Sequence, residues 1–215
     1  MDRSRVAIVI PALNEERTIG DVVRGVSPFG HAVVVDDGSR DRTAEIAGAA
    51  GAHVVRHPEN RGYDGALDTG FAAAARLGVD CIVTVDADGQ HVPSLIEAFL
   101  REIEAGADVV VGVRDRRQRF GEHAFAWTGQ LLWGLKDPLC GMKAYRTAVY
   151  RALGHFDAYR SIGTELALYA VRRGLKVAQV PIATRDRSGQ PRFGRRWSAN
   201  ARILRALMLG LVRRS

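Results

Sequence analysis

The 215-residue sequence predicts an α/β fold, in which helices cover both faces of a doubly wound, mostly parallel sheet. Two observations support this prediction. Short, wholly apolar runs rich in β-branched residues alternate with longer segments of helical periodicity, and such strands are typical of parallel sheets buried on both sides. With 47% hydrophobic and 26% charged residues, the composition is that of a folded domain rather than a disordered chain. We expect a single domain over residues 1–184, followed by a basic loop and an amphipathic helix over 185–215.

The predicted strands and helices alternate along the chain. Six apolar runs predict strands at residues 6–10, 32–35, 53–55, 81–85, 109–113 and 176–180. Helices are predicted near residues 15–26, 41–50, 64–77, 93–105, 122–134 and 163–173. Two of them have start signals, because Asp41 and Glu45 lie in one first turn and Pro93 takes a first helical position in another.

The sequence predicts neither a membrane span nor a disulfide framework. The longest apolar stretch near the C-terminus, residues 206–212, is far shorter than the roughly 20 residues that a spanning helix needs. The N-terminus lacks a signal-peptide cleavage pattern, and Cys81 and Cys140 are the two cysteines of the chain. We therefore expect a cytoplasmic protein whose thiols serve only packing.

Polar residues follow four of the predicted strands, and ligands bind at the carboxyl ends of strands in such folds. These residues are 11–15, 36–39, 86–90 and Arg114. Asp86 and Asp88 leave one strand end at alternate positions, where two carboxylates can bind a divalent cation such as Mg²⁺ or Mn²⁺, and Gln90 can add a neutral oxygen. The alternative is a plain polar loop. Asp37 can accept from a base or a ribose hydroxyl, although a turn after the strand explains the DGS sequence equally well.

The basic charge is concentrated at the C-terminal end. Residues 185–215 hold nine arginines and one acidic residue, a net +8, so the first 184 residues carry about −1 of the total of +7. This asymmetry indicates an anionic partner. Arg187 and Arg192 are candidates to contact a diphosphate, a solvated basic linker being the alternative.

Between residues 197 and 214, three arginines lie opposite one apolar helical face, whose members are Trp197, Ile203, Leu204, Leu207, Met208 and Leu211; the arginines are Arg202, Arg205 and Arg213. This pattern fits a terminal helix docked on the domain and equally a helix lying on anionic lipid. A nucleic-acid partner is not expected, because the sequence has no recognition-helix signature and no aromatic residues interleaved with the basic ones.

A family resemblance emerges when the motifs are taken in order. The segments VIVIPALNEE, VVVDDGSRDRT, NRGYDGALDTGF, VTVDADGQH, VVVGVR, DPLCGMKAYR, GTELALYAVRRGLKVAQVPI and RDRSGQPRFG together resemble the family 2 glycosyltransferases, specifically the dolichyl- or polyprenyl-phosphate mannose and glucose synthases. The resemblance covers nearly the whole chain. It implies a GT-A fold, a nucleotide-sugar donor, a divalent metal and inversion at the anomeric carbon.

Carried over residue by residue, the resemblance also implies a binding site. Asp86, Asp88 and Gln90 match the metal-binding positions, and the backbone of Ala87 lies beside the donor. Arg114 matches a phosphate-contacting arginine, and Arg187 and Arg192 match a late basic pair over the diphosphate. The nucleotide is expected against Pro11, Leu13, Glu15, Val35 and Asp37.

The expected acceptor is polyprenyl phosphate, bound at the inner face of the cytoplasmic membrane by a peripheral enzyme. Arg119, or else Arg116 or Arg117, is the candidate to hold its phosphate. A phosphate monoester is already a dianion near neutral pH and needs no strong general base. If the acceptor were instead a sugar hydroxyl in cell-envelope polysaccharide synthesis, Asp137 and Glu165 would be the candidate bases. A remoter alternative, a basic membrane-binding protein without catalysis, leaves Asp37, Asp86 and Asp88 unexplained.

Overall fold

The computed structural model describes residues 1–115, 120–183 and 196–212. Its centre is a seven-stranded sheet in the order β3-β2-β1-β4-β6-β5-β7. The strands are β1 (Val6–Ala12), β2 (His31–Asp36), β3 (His53–Arg56), β4 (Cys81–Thr84), β5 (Val109–Arg114), β6 (Lys143–Arg146) and β7 (Val177–Ile182). Four of the six strand pairs are parallel, whereas β6 runs antiparallel to both β4 and β5. The predicted class, an α/β fold with a mostly parallel sheet, is confirmed.

Helices cover both faces of the sheet, because alternate residues of each strand point to opposite sides. Val6, Ile8 and Ile10 of β1 belong to one core cluster, and Ala7 and Val9 belong to the other. The helices are α1 (Ile19–Val26), α2 (Thr43–Ala49), α3 (Gly62–Arg76), α4 (Ile96–Glu104), α5 (Phe120–Trp133), α6 (Thr147–Leu153), α7 (Glu165–Arg172) and α8 (Arg196–Val212).

Neither β6 nor α6 is among the predicted elements, and β6 is the strand that runs antiparallel to both of its neighbours. β6 is only four residues long and carries a lysine and an arginine, so it lacks the apolar signature of the other strands. The fold nevertheless buries Lys143 and satisfies its charged end, since Nζ donates to the carbonyl of Gly163 at 3.0 Å. The backbone N–H of Lys143 donates to Thr84 Oγ1 at 3.0 Å, which secures β6 beside β4.

The C-terminal helix α8 packs on α5. Phe125 of α5 joins Ile203, Ala206 and Leu207 of α8 in a small apolar cluster. Arg172 of α7 also donates to the carbonyl of Gly210. The predicted boundary between residues 184 and 185 falls outside the described residues and stays a prediction. Within the described ranges, no helix is both long and apolar enough to cross a bilayer.

Candidate active site

The carboxyl ends of β1, β2, β4 and β5 lie at the same edge of the sheet, because these four strands run in one direction. The structure thus brings together the four polar strand ends that the sequence singles out. Between the ends of β1, β2 and β3 lies a cavity of about 720 Å³. Leu13, a predicted nucleotide contact, lines this cavity, together with Asn14, Gly38, Ser39, Arg40, Arg56, His57, Pro58, Glu59 and Asn60.

The loops after β1 and β2 are joined by hydrogen bonds between side chains and backbone. The N–H of Asn14 donates to Ser39 Oγ at 2.8 Å, and Asn14 Oδ1 accepts the N–H of Arg40 at 2.8 Å. Asn14 adopts a left-handed backbone conformation, φ +49°, which asparagine tolerates better than most residues. The N–H of Glu15 donates to Thr43 Oγ1 at 2.7 Å. These hydrogen bonds join the loop after β1 to the loop after β2, and both loops line the cavity.

Asp37 is buried at the end of β2 and anchors the start of α3. Its Oδ1 accepts the N–H of Arg61 at 2.8 Å, and its Oδ2 accepts the N–H of Gly62 at 2.9 Å. His57 Nδ1 lies 2.7 Å from Oδ1, and His57 Nε2 lies 2.9 Å from Thr69 Oγ1. A carboxylate at a helix N-terminus satisfies N–H groups that have no partner within the helix. The sequence analysis missed His57, whose available signal was its position directly after β3.

Two further predicted nucleotide contacts, Pro11 and Val35, are in-register partners on β1 and β2. The side chain of Val35 is fully buried and faces α3, where a Cβ added at Gly70 would lie 3.2 Å from Val35 Cγ2. The side chain of Val35 therefore faces α3, and the expectation that Val35 lies against a nucleotide stays a prediction.

Asp86 and Asp88 follow β4 closely. The Asp86 side chain is about one-third exposed, and its Oδ1 accepts from the Tyr63 hydroxyl at 3.3 Å. Asp88 is nearly buried, and its Oδ1 accepts the N–H of Gln90 at 3.0 Å. The carbonyl of Ala87 accepts from Thr18 Oγ1 at 2.8 Å. In the described parts of the chain, no group of three or more His, Cys, Asp or Glu side chains is arranged to hold a metal ion.

Gly141, in the segment before β6, lies directly against the side chain of Asp86. A Cβ at this position would lie 2.3 Å from Asp86 Oδ2, closer than any real contact of this kind. The Gly141 carbonyl accepts from Thr84 Oγ1 at 2.6 Å, which holds the segment in place. A side chain at this position would therefore push the Asp86 carboxylate out of its present place.

Arg114, at the end of β5, forms a two-point ion pair with Asp137. Arg114 Nε and Nη2 donate to the two oxygens of Asp137 at 2.7 and 2.9 Å, and Glu122 of α5 lies 3.8 Å from Nη1. Burial disfavours the charge of Arg114, but the hydrogen bonds and the charge of Asp137 outweigh burial and raise the pKa of this guanidinium. Asp137 therefore orients the arginine.

Glu165, the other candidate base, lies buried at the start of α7. Its Oε1 is 3.0 Å from His155 Nε2, and its Oε2 accepts the N–H of Ala158 at 2.6 Å. Both oxygens of Asp137 and both oxygens of Glu165 thus already accept hydrogen bonds. Each of these oxygens can accept more than one hydrogen bond, so the candidate role of Asp137 and Glu165 as bases stays a prediction.

The sequence analysis missed a cluster of two acids and a lysine, which are Asp64, Asp157 and Lys143, around Gly163 in the loop of residues 157–163. Asp157 Oδ2 and Asp64 Oδ1 both accept the N–H of Gly163, at 3.1 and 2.7 Å. Burial, followed by the charge of Asp157, raises the pKa of Asp64 to about 7. Burial lowers the pKa of Lys143. Asp64 and Lys143 both lie in motifs that the sequence analysis singles out, NRGYDG and DPLCGMKAYR, whereas Asp157 lies in none.

Five predicted phosphate-binding residues lie outside the described residues. They are Arg116, Arg117, Arg119, Arg187 and Arg192. Their predicted roles stay predictions.

Comparison with known proteins identifies close similarity to lipid-phosphate glycosyltransferases. The chain is 34% identical over 201 residues to a dolichyl-phosphate hexose transferase of Haloferax volcanii, covering 87% of this chain and 86% of the relative. It is 30% identical over 208 residues to a polyprenol monophosphomannose synthase of Mycolicibacterium smegmatis, covering 85% of this chain and 78% of the relative.

A solved structure also superposes well. Glucosyl-3-phosphoglycerate synthase of Mycobacterium tuberculosis, crystallised with Mn²⁺ and UDP-glucose, is 26% identical, with a TM-score of 0.77 over 96% of this chain and 78% of that one. The family model for glycosyl transferase family 2 matches residues 7–154, more than half of the chain. The resemblance drawn from the motifs is therefore confirmed, and the chain belongs to glycosyltransferase family 2.

Proposed function

We propose that this enzyme transfers a hexose from a nucleotide sugar to polyprenyl or dolichyl phosphate. One observation carries the proposal: a single sheet edge combines the 720 Å³ cavity, the Asp86 and Asp88 carboxylates, and the oriented guanidinium of Arg114. The names of the two curated relatives support the lipid phosphate as acceptor.

The nucleoside would occupy the cavity between β1, β2 and β3, whose volume lies in the usual range for small-ligand sites. Leu13 would contact the base, and Pro11, Glu15 and the backbone of Val35 would border the nucleoside. Asp37 would set the floor of the cavity through its hydrogen bonds to the start of α3.

Asp86, Asp88 and Gln90 would hold a divalent cation, either Mg²⁺ or Mn²⁺. Their donors fit such an ion, because carboxylate and amide oxygens are the ligands that hard cations prefer and Asp86 faces solvent in part. The Mn²⁺ in the 26%-identical structure supports this assignment. When bound, the cation would neutralise negative charge on the leaving diphosphate. The Ala87 backbone would lie beside the donor.

Arg114 would contact the diphosphate through the guanidinium edge that Asp137 leaves open, and Arg187 and Arg192 would add two further charges. Arg119, or its neighbours Arg116 and Arg117, would hold the acceptor phosphate. A phosphate dianion attacks without a strong base.

The same acceptor implies peripheral attachment to the cytoplasmic face of a membrane. The C-terminal helix would make this attachment, since α8 packs on α5 and still exposes apolar side chains.

The proposal is tested by label transfer from UDP-glucose, GDP-mannose and UDP-GlcNAc to polyprenyl phosphate, with Mg²⁺ or Mn²⁺, followed by organic extraction. We expect metal-dependent label in the organic phase from one donor, and a loss of about 100- to 1,000-fold in Asp88→Asn. Asp21→Asn, on the exposed face of α1, is the matched control and should behave as wild type. Donor turnover without a lipid product would move the acceptor to a hydroxyl and make Asp137 and Glu165 the next residues to test.

A further inference from the structure

Two packed helices, α5 and α8, expose large apolar side chains to solvent. Among the described residues seven large apolar side chains are exposed, and six of them lie on these helices: Trp127, Leu131, Leu132, Leu204, Met208 and Leu211. The exposed fraction reaches 72% for Trp127 and 67% for Leu131. The seventh, Leu77, follows α3. A concentration of this kind marks an interaction surface.

The helical period divides α8 into three sectors, because successive residues turn by about 100°. Ile203, Ala206, Leu207 and Gly210 are buried against the domain. Leu204, Met208 and Leu211 form an exposed apolar stripe on another side. Arg205 and Leu209 lie beside that stripe and line a separate pocket of about 390 Å³. The predicted single apolar face is therefore wrong for α8: one apolar side packs on the domain, and a second apolar side is exposed.

The pocket beside the apolar stripe is basic. Arg160 and Arg205, both exposed, line it with Ala158, Tyr159 and Leu209, and none of the lining residues is acidic. Arg160 has a left-handed backbone conformation, φ +57°, within the loop that Asp64 and Asp157 hold through Gly163. A fixed loop therefore presents this arginine beside α8.

We propose that the exposed faces of α5 and α8 form one docking surface for an anionic lipid bilayer, with lipid phosphates bound by Arg160 and Arg205. The inference deepens the proposed membrane attachment by adding α5 and a phosphate pocket to the C-terminal helix. Charge complementarity selects the bilayer, because residues 185–215 carry a net +8. A second copy of the chain is a poorer partner for this surface, because two segments of net charge +8 would then face each other and repel.

The surface is connected to the catalytic edge through α5. Glu122 in the first turn of this helix lies 3.8 Å from Arg114 Nη1, and Trp127 follows little more than one turn later. A bilayer bound at Trp127 and Leu131 would therefore lie close to the phosphate-binding arginine. The reaction proposed above needs this proximity, because its acceptor phosphate is attached to a membrane-embedded chain.

The test is co-sedimentation of the full-length protein with vesicles of phosphatidylcholine alone, or of phosphatidylcholine and phosphatidylglycerol in equal parts. Wild type should bind the anionic vesicles more strongly. Trp127→Glu with Leu131→Glu should lower binding by about tenfold, and Met208→Glu with Leu211→Glu should do the same. Arg205→Gln should lower binding to the anionic vesicles by about fivefold and leave binding to the neutral ones unchanged.

Leu77→Glu is the matched control, because Leu77 is a similarly exposed leucine away from both helices, and it should bind as wild type. Circular dichroism should show that all variants are folded. Equal loss in Leu77→Glu, or wild-type binding in the Trp127 and Leu131 variant, would overturn the proposal. A third outcome would also overturn it: sedimentation velocity shows that wild type is a dimer, and the glutamate variants dissociate the dimer but bind vesicles as wild type does.

The same variants separate this inference from the proposed reaction. With polyprenyl phosphate dispersed in detergent, the Trp127 and Leu131 variant should keep its transfer activity. If wild type binds vesicles but transfers no hexose, the docking surface stands and the proposed reaction fails.

Discussion

The sheet edge at the ends of β1, β2 and β4, which we propose binds the nucleotide and call the nucleotide edge, and the layer formed by α5 and α8 are stabilised by different interactions. At the nucleotide edge, side chains hydrogen-bond to the backbone of neighbouring loops, as Asn14 does with Arg40 and Asp37 with Gly62. In the α5 and α8 layer, a small apolar cluster around Phe125 holds the helices, and their other faces are exposed. The first region therefore has a fixed geometry, which suits the proposed donor site, whereas the second exposes apolar surface, which suits the proposed docking surface.

The largest effect should come from Phe125→Ala. Phe125 is fully buried where α5 meets α8, and the substitution leaves a cavity there. We expect the free energy of unfolding to fall by about 3–5 kcal/mol and α8 to become sensitive to limited proteolysis. Nucleotide binding measured by calorimetry should stay unchanged, because the nucleotide edge has its own hydrogen bonds. A parallel loss of nucleotide affinity would break the distinction between the two regions.

A smaller effect should follow from the raised pKa of Asp64. The folded state retains the proton of this carboxyl up to about pH 7, whereas in the unfolded chain it titrates near pH 4. The stability from this group is therefore fully present below about pH 4 and is lost as pH rises to about 7. Denaturant titrations between pH 5 and 7 should show a slope of up to about 1.4 kcal/mol per pH unit.

Asp64→Asn should flatten that slope while keeping an acceptor for the N–H of Gly163. Asp21→Asn, an exposed residue, should retain the wild-type slope. An unchanged slope in Asp64→Asn would assign the pH dependence to another group.

The smallest effect should come from Leu131→Gln. Leu131 is largely exposed, so its replacement should change the free energy of unfolding by less than about 0.5 kcal/mol. Compared with Phe125→Ala, this result would show that the buried face of α5 stabilises the fold and that the exposed face contributes little to stability. A loss of more than about 1 kcal/mol in thermal or denaturant unfolding would mean that Leu131 packs on the domain after all.

The parts that the sequence predicts well are those with a local signal. Asp86 and Asp88 follow an apolar run, and a carboxyl strand end is where an α/β fold places its ligands. The strand β6 has no such signal, since its burial depends on Thr84 and Gly163, which are distant in sequence. The ion pair between Arg114 and Asp137 likewise joins residues that are distant in sequence. Both residues are visible as candidates, but only the fold joins them and so gives the aspartate its positioning contact.

The position of β6 between β4 and β5 also determines the order in which the sheet can be completed. In the described sheet, β5 pairs with β6 and β7 alone, so it cannot join the earlier strands until residue 146 has been synthesised. A nascent chain that ends before β6 leaves β4 with an unpaired edge, and an unpaired edge strand invites association with other chains. The antiparallel strand that lacks a sequence signature is thus the step that joins β5 to the earlier strands during synthesis, when the chain is most exposed to aggregation.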